Sequence, residues 1–242
     1  VLAGSDAVFV AAGIVSLNYV LMGKPGVKTV EQMKGGTIAI SRFGSATDTI
    51  ARFALRRVGL IPGKDVTIIQ VGSGPERLGA LLTGRVTAAV INPPSSFIAE
   101  KRGMAVLADV AQMGLVFQHT GAATTKKFIR EHNDVVRRYV RAHVEAVHRM
   151  WTDKEATIRA LQKYMGGGLD REILAQSRDT VMHETLYPQK QYPSLEGLKT
   201  VIEDLAERDP RAKTVKPEDF VDMSFIRELD QTGFIDGLYK KK

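Results

Sequence analysis

Between residues 28 and 114, short apolar runs alternate with amphipathic ones, and a glycine stands at most changes of pattern. "VEQMKGG" predicts a short helix and "TIAIS" (37–41) a buried strand. Residues 47–58 place Ile50, Phe53, Ala54 and Val58 on one helical face, and Gly59 stops the helix. The alternation continues with a strand at 65–71, a helix at 75–84 ended by Gly84 and a strand at 86–91. A Pro-Pro turn, a helix to Arg102 and, after Gly103, the strand "MAVLA" complete it. Alternation of this kind requires a parallel or mixed sheet covered by helices, because each strand must return past a helix to pair with its neighbour.

The flanking segments read differently. "VLAGSDAVFVAAG" at the start reads as a helix end, a glycine stop at Gly4 and a short strand. "LVFQHT" (115–120) predicts a strand, and from Lys126 onward the pattern is almost wholly helical. Helices are expected at 133–151, 153–164, 170–181, 195–207 and 219–231, with "MGGG" (165–168) as a helix stop and "YPQKQYPS" (187–194) as a break. Residues 1–10 align without gaps to residues 81–90, sharing Leu, Gly and Val at matched places, and both read as helix, glycine, strand. On that echo the chain is expected to be part of a longer precursor, with position 1 inside an earlier copy of the α/β unit.

Composition excludes several classes of function. No cysteine occurs, so disulfides and thiolate metal sites are ruled out. The five histidines are scattered, and "HETLY" lacks the second histidine of a zinc-protease motif, so no metal is expected. The net charge of +7 is dispersed. The densest basic stretch, "RRYVRAHVEAVHR" (137–149), keeps Val140, Val144 and Val147 on a buried side with Val136, so its arginines form a solvated face rather than a nucleic-acid stripe. The terminal "YKKK" reads as a tail. The longest apolar run, "GIVSLNYVLMG", is too short to cross a bilayer, and no signal-peptide pattern is present. "VGSGPERLG" fits neither the dinucleotide nor the Walker pattern; Pro75 reads better as a helix start. No G-x-S-x-G elbow or other catalytic constellation stands out.

Two strand-to-helix junctions have binding chemistry. "SRFGSATD" (41–48) carries a glycine turn into a helix that begins with Ser45 and Thr47. Unpaired N–H groups and the positive end of a helix dipole make such a place an anion site. Equally, Ser45 or Thr47 could do no more than cap the helix. "INPPSSF" (91–97) is a second junction, with Asn92 at a strand end. It reads as another part of a cleft edge, since open α/β sheets bind ligands beyond their strands' carboxyl ends, or as a rigid turn.

The ordered series "NYVLMGKPGVKTVEQMKGGTIAISRFGSATD", "RRVGLIPGKDVTII", "LGALLTGRVTAAVINPP" and "AEKRGMAVLADV" resembles the periplasmic solute-binding proteins of ABC importers. The branch is the one for nitrate, taurine, alkanesulfonates and thiamine-pyrimidine precursors, and the resemblance covers about residues 1–150. It implies a two-lobed α/β fold of the type 2 periplasmic-binding-protein kind, with mixed sheets, helices on both faces and a helical C-terminal tail. Residues 1–27 would be the remainder of lobe 1 and a first crossing, 28–114 lobe 2, and 115–242 a second crossing and helical return to lobe 1. A cleft between the lobes would be lined by Ser41, Gly44, Ser45, Ala46 and Thr47, by Asn92 and Pro93, and by Asn18 and Gln118 from the crossings. The implied function is capture of a small polar or anionic solute, without cofactor, and delivery to the membrane subunits of an ABC importer. The implied place is the periplasm, or a lipid anchor outside the cytoplasmic membrane. Enzymes of pyrimidine-precursor synthesis or sulfinate cleavage use the same fold; they depend on cysteines, which this chain lacks.

Overall fold

The computed structural model describes residues 2, 4–113, 115–165, 168–207 and 209–240. Val1 and Ala3 of the expected helix end, the Gly166–Gly167 part of the "MGGG" stop and the last two lysines lie outside the described residues. In chain order the elements are β1 (Ala7–Ala12), β2 (Val20–Gly23), β3 (Thr37–Ile40), α1 (Ala46–Arg57), β4 (Thr67–Gln70), α2 (Gly74–Leu82), β5 (Ala88–Ile91), α3 (Ser95–Lys101) and β6 (Ala105–Asp109). There follow β7 (Gly121–Thr125), α4 (Lys126–Glu131), α5 (Asn133–Thr152), α6 (Lys154–Met165), α7 (Arg171–Val181), α8 (Leu195–Ala206), α9 (Ser224–Gln231) and α10 (Phe234–Tyr239). The chain forms two compact units: Asn18–Leu115, and Val1–Leu17 together with Val116–Lys242.

The continuous unit is built on a five-stranded mixed sheet in the order β4-β3-β5-β2-β6. β3 runs parallel to β4 and β5, whereas β2 is antiparallel to both β5 and β6. Thus β3, β4, β5 and β6 share one direction and end on one edge. β5, "AAVI", is buried throughout, the unbroken apolar run expected of a strand covered on both faces. Ala39, Ala89 and Ile91 pack with Leu78 and Leu81 of α2 and Ala99 of α3. Ile38 and Ile40, which strand alternation turns the other way, are equally buried, as are Ile50 and Leu55 of α1. Gly59 ends α1 at φ 76°, with the Leu60 N–H donating back to Leu55 O at 3.0 Å. Ser73 and Glu76 form a capping box at the start of α2, as the Pro75 helix start requires.

Three local expectations are corrected here or in the second unit. β2 was not expected, because four residues, the last three all buried without alternation, give no period to read. Residues 115–120 form no strand: Val116 makes an isolated bridge with Ser16, and the strand is β7, just downstream. The helix expected at 219–231 is a 3₁₀ turn (Pro217–Phe220), a break and then α9, since Asp222 accepts from Ser224 N and starts the chain afresh.

In the discontinuous unit β1 pairs antiparallel with β7, with a bulge between Phe9 and Ala11. α5 turns Val136, Val140 and Val144 onto β1, where they join Val8, Val10, Phe225, Ile226 and Ile235 in one core. The tail therefore returns to the first strand: Asp222 N donates to Phe9 O at 2.8 Å. Arg178 of α7 donates to the carbonyls of Met150 and Trp151, placing its charge at the negative end of α5. The arginines of α5's outer face are engaged in ion pairs, Arg138 with Asp134, Arg141 with Glu145 and Arg149 with Asp153. No helix of the described residues is long and apolar enough to cross a membrane.

Candidate functional site

The sheet topology of the continuous unit gathers its chemistry on one edge. The turns after β3, β4 and β5 leave the carboxyl ends of parallel strands. Val20 lies opposite both Ile91 and Asp109, so Asn18 and Tyr19, just before β2, reach the same edge from the other direction. Of the nine residues expected from sequence, Asn18, Ser41, Gly44, Ser45, Ala46, Thr47, Asn92 and Pro93 come together there.

In the turn from β3 to α1, the three hydroxyls of Ser41, Ser45 and Thr47 form a triangle with sides of 2.8–2.9 Å. The Ser41 N–H donates to Thr47 Oγ1 at 2.9 Å, and Ser45 Oγ donates to Arg42 O at 2.7 Å. Neither Ser45 nor Thr47 caps α1 with its side chain, which corrects that reading of the segment. Short side chains this close satisfy one another before they reach the helix amides. Two hydroxyl protons, on Ser41 and Thr47, remain for the triangle or for a solute. At the helix start the N–H groups of Asp48 and Thr49 both donate to Ser45 O. Among the described residues those of Ala46 and Thr47 have no protein acceptor, as the first turn of a helix dictates.

Asp48 locks this turn from behind. Its carboxylate is fully buried, accepting from Gly44 N at 2.9 Å through one oxygen and from Arg52 Nε at 2.8 Å through the other. Gly44 sits at φ 76°, a conformation that a side chain would strain. Gln70, the last residue of β4, accepts from Phe43 N at 2.7 Å and ties the turn to the neighbouring strand.

The other turns are held by Arg77. This guanidinium, 3% exposed, donates to Val90 O at 2.7 Å and to Gly72 O, pinning the turn after β4 to the end of β5. Burial lowers its pKa, and burial raises that of Tyr19 nearby, an effect the charge of Arg77 opposes. A Cβ at Gly74 would lie 3.4 Å from Ser95 Oγ and 3.9 Å from Asn92 Oδ1, so the starts of α2 and α3 adjoin. Asn18 Oδ1 is buried and has no hydrogen-bond partner among the described residues.

Gln118 belongs to the discontinuous unit, and both ends of its amide are engaged. Nε2 donates to Thr120 O and Oε1 accepts from Ser194 N, each at 2.7 Å. Sequence reading missed Asp48 and Arg77 as the side chains that brace the turns of the candidate site. Asp48 stands at capping-box spacing from Ser45, and Arg77 is a basic residue beside Leu78 on the buried face of α2; both signals were present. Among the described residues no group of three or more His, Asp or Glu side chains is placed to hold a metal ion.

An edge of this kind, on a mixed sheet whose strands end together, is the ligand edge of an open α/β fold. The chain belongs to the NMT1-like family, whose profile matches residues 7–166. No curated protein matches it significantly. Among solved structures, it is similar to the ligand-binding component of an ABC-type import system from Staphylococcus aureus, solved with zinc bound (TM-score 0.75, 17% identity, covering 93% of this chain and 75% of that one). It is also similar to the periplasmic aliphatic sulphonate binding protein SsuA from Escherichia coli (TM-score 0.68, 21% identity, 92% and 71%). A third is the periplasmic nitrate-binding protein NrtA from Synechocystis (TM-score 0.69, 12% identity, 94% and 68%). At these identities the likeness is one of fold: this chain has the α/β fold of periplasmic binding proteins.

Proposed function

We propose that the chain captures a small polar or anionic solute, in the cleft that the family resemblance implies, and hands it to the membrane subunits of an ABC importer. The place of action is outside the cytoplasmic membrane. The contribution of the continuous unit is the edge described above. The observation that carries the reading is the pair of acceptor-free N–H groups on Ala46 and Thr47, at the positive end of a twelve-residue helix. Ser41 and Thr47 hydroxyls supply further donors, and the buried Asn18 oxygen supplies an acceptor for a donor group on the solute. Hydrogen bonds to a charged group contribute about 1.5 to 3 kcal/mol each, so two or three supply about 3 to 9 kcal/mol against an association cost of about 4 kcal/mol or more, and tight binding needs contacts beyond these.

The test is a thermal-shift and calorimetric screen of nitrate, taurine, alkanesulfonates, aromatic carboxylates and pyrimidines. A bound solute at a hundred times its Kd stabilises by about 2.7 kcal/mol, enough to raise Tm by roughly 5–10 °C. Ala46→Glu should abolish that shift, because its carboxylate would occupy the same helix end. A solute whose affinity ignores Ala46→Glu binds elsewhere and overturns the site. Release of a chemically changed product would replace capture by catalysis.

A further inference from the structure

We propose that the edge of the continuous unit opposite the candidate site is a docking surface for an anionic lipid bilayer. Strands β3, β4, β5 and β6 all run toward the candidate-site edge, so the segments that feed them lie on the other one. β2 runs the opposite way and delivers the chain there at Gly23. Four segments meet on this edge: 24–36 before β3, 58–66 before β4, 83–87 before β5 and 102–104 before β6. They carry six basic residues, Lys24, Lys28, Lys34, Lys64, Arg85 and Arg102, against two acidic ones, Glu31 and Asp65. The turns of the candidate-site edge (18–19, 41–45, 71–73, 92–94 and 110–115) carry a single charged residue, Arg42. Basic residues dispersed along the sequence are thus gathered by the fold onto one side of one sheet.

Hydrogen bonds tie the segments together. Lys24 N donates to Thr87 O at 3.0 Å, joining the turn after β2 to the entry of β5. Gly35 N donates to Asp65 O at 2.7 Å, joining the entries of β3 and β4. Lys24 is half-buried, and the other five basic residues are exposed. Among the described residues none of the six is held in an ion pair, unlike the arginines of α5. The Asp65 carboxylate accepts from Ile61 N at 2.8 Å, and Ile61 O accepts from Lys64 N at 3.1 Å. These bonds hold Ile61, 51% exposed, in a tight turn beside Lys64. Cations after helix ends complement the helix dipole, which accounts for Arg85 and Arg102 behind α2 and α3. Lys24, Lys28 and Lys64 end no α-helix, and the dipole gives no reason for them.

The chemistry favours a bilayer as the occupant. Lysine ammonium groups are hydrated point charges on flexible stems, suited to a spread of anionic headgroups rather than to bidentate recognition of one group. No aromatic residue lies in the four segments, so nucleic-acid bases find no stacking platform. Ile61 adds an apolar tip of the kind that interfacial attachment uses alongside charge. Five strands at inter-strand spacing make the surface roughly 20 Å wide, a flat array rather than a pocket.

The test is sedimentation of the full chain with vesicles of phosphatidylcholine alone, and of three parts phosphatidylcholine to one of phosphatidylglycerol, at low and at physiological salt. Retention on the anionic vesicles alone, weakening as salt rises, is expected. Lys28→Gln, Lys34→Gln and Lys64→Gln together should weaken partition roughly a hundredfold, at about fivefold per charge, and the same three changed to Arg should retain it. Ile61→Ser should weaken it severalfold, and Arg42→Gln on the other edge should leave it unchanged. No retention on anionic vesicles at low salt overturns the proposal, as does a triple Gln variant that binds like the unsubstituted chain. Should the triple variant fail to fold, Lys64→Gln and Ile61→Ser decide singly, and partition unchanged in both is fatal. Capture of polyglutamate or of double-stranded DNA in preference to anionic vesicles assigns the edge to another class of partner and overturns the bilayer.

Discussion

Replacing Arg77 by Met should unravel the floor of the candidate site more than any surface change. Arg77 is 3% exposed, and its guanidinium donates to Val90 O in β5 and to Gly72 O in the turn after β4. Met retains the apolar stem, so packing against Leu78 and its neighbours changes little. What is lost is the partner of one buried carbonyl, Val90 O, and one half-buried carbonyl, Gly72 O, at about 1–3 kcal/mol each with the second toward the low end. Some is returned, because a buried guanidinium no longer has to be stripped of water, the same desolvation that lowers its pKa. The net expectation is about 3 kcal/mol of destabilisation. Arg77→Lys should cost about half of that, since one ammonium reaches one carbonyl well and lacks the planar fork. Urea denaturation followed by circular dichroism and by hydrogen exchange at the amides of β5 would measure both variants. A loss below about 1 kcal/mol for Arg77→Met would refute the claim that this side chain braces the edge.

Two other outcomes follow from the discontinuous unit. Gly197→Ala would bring a Cβ to 2.3 Å from Gln118 N and 2.6 Å from Phe117 C, both backbone atoms, so α8 must shift; a drop of about 2–3 kcal/mol in unfolding free energy is expected. His119 has a pKa lowered from 6.5 by burial, so its neutral form is favoured in the folded chain. Its contribution is complete above the unfolded value and is lost as pH falls below 6.5 toward the folded one, because only the unfolded chain takes up the proton there. His119→Gln should flatten the fall in Tm across that interval, and an unchanged slope would exclude the residue.

The α/β alternation was legible because glycine punctuation and helical period agree at each step from Thr37 to Arg102. β3 and β5, read as strands of one unit, are neighbours in one sheet, with Ile38 opposite Ala88. The long valine stripe of α5 was equally plain, and its four valines are all buried. β2 was illegible because it is a central strand of four residues whose pairing partners, Ile91 and Asp109, are distant in sequence. At the candidate site, the residue types of the 41–48 segment announced a strand-to-helix turn, and the structure has one between β3 and α1, yet the local hydrogen bonds of those residues did not follow. A serine at a helix start predicts a cap, whereas here three hydroxyls close on one another, a tertiary arrangement that spacing cannot report. Gln118 carries a different lesson: its amide joins Thr120 and Ser194 within the discontinuous unit, partners that its own neighbourhood in sequence did not announce.

The position of β2 has one more consequence. Asn18–Leu115 enters the fold through β2 and leaves it through β6, and these two strands lie side by side with Val20 facing Asp109. Entrance and exit are thus separated by about one inter-strand spacing, roughly 5 Å. Such a module behaves as a cassette: its own ends can be joined by a few residues, and new termini opened at an exposed turn such as Pro62–Lys64, without breaking the strand order. A cut at residue 28 instead removes the strand between β5 and β6 and leaves an unpaired slot in the middle of the sheet. The smallest portable version of this sheet edge therefore begins before Val20, and its grafting into another host needs only one narrow doorway.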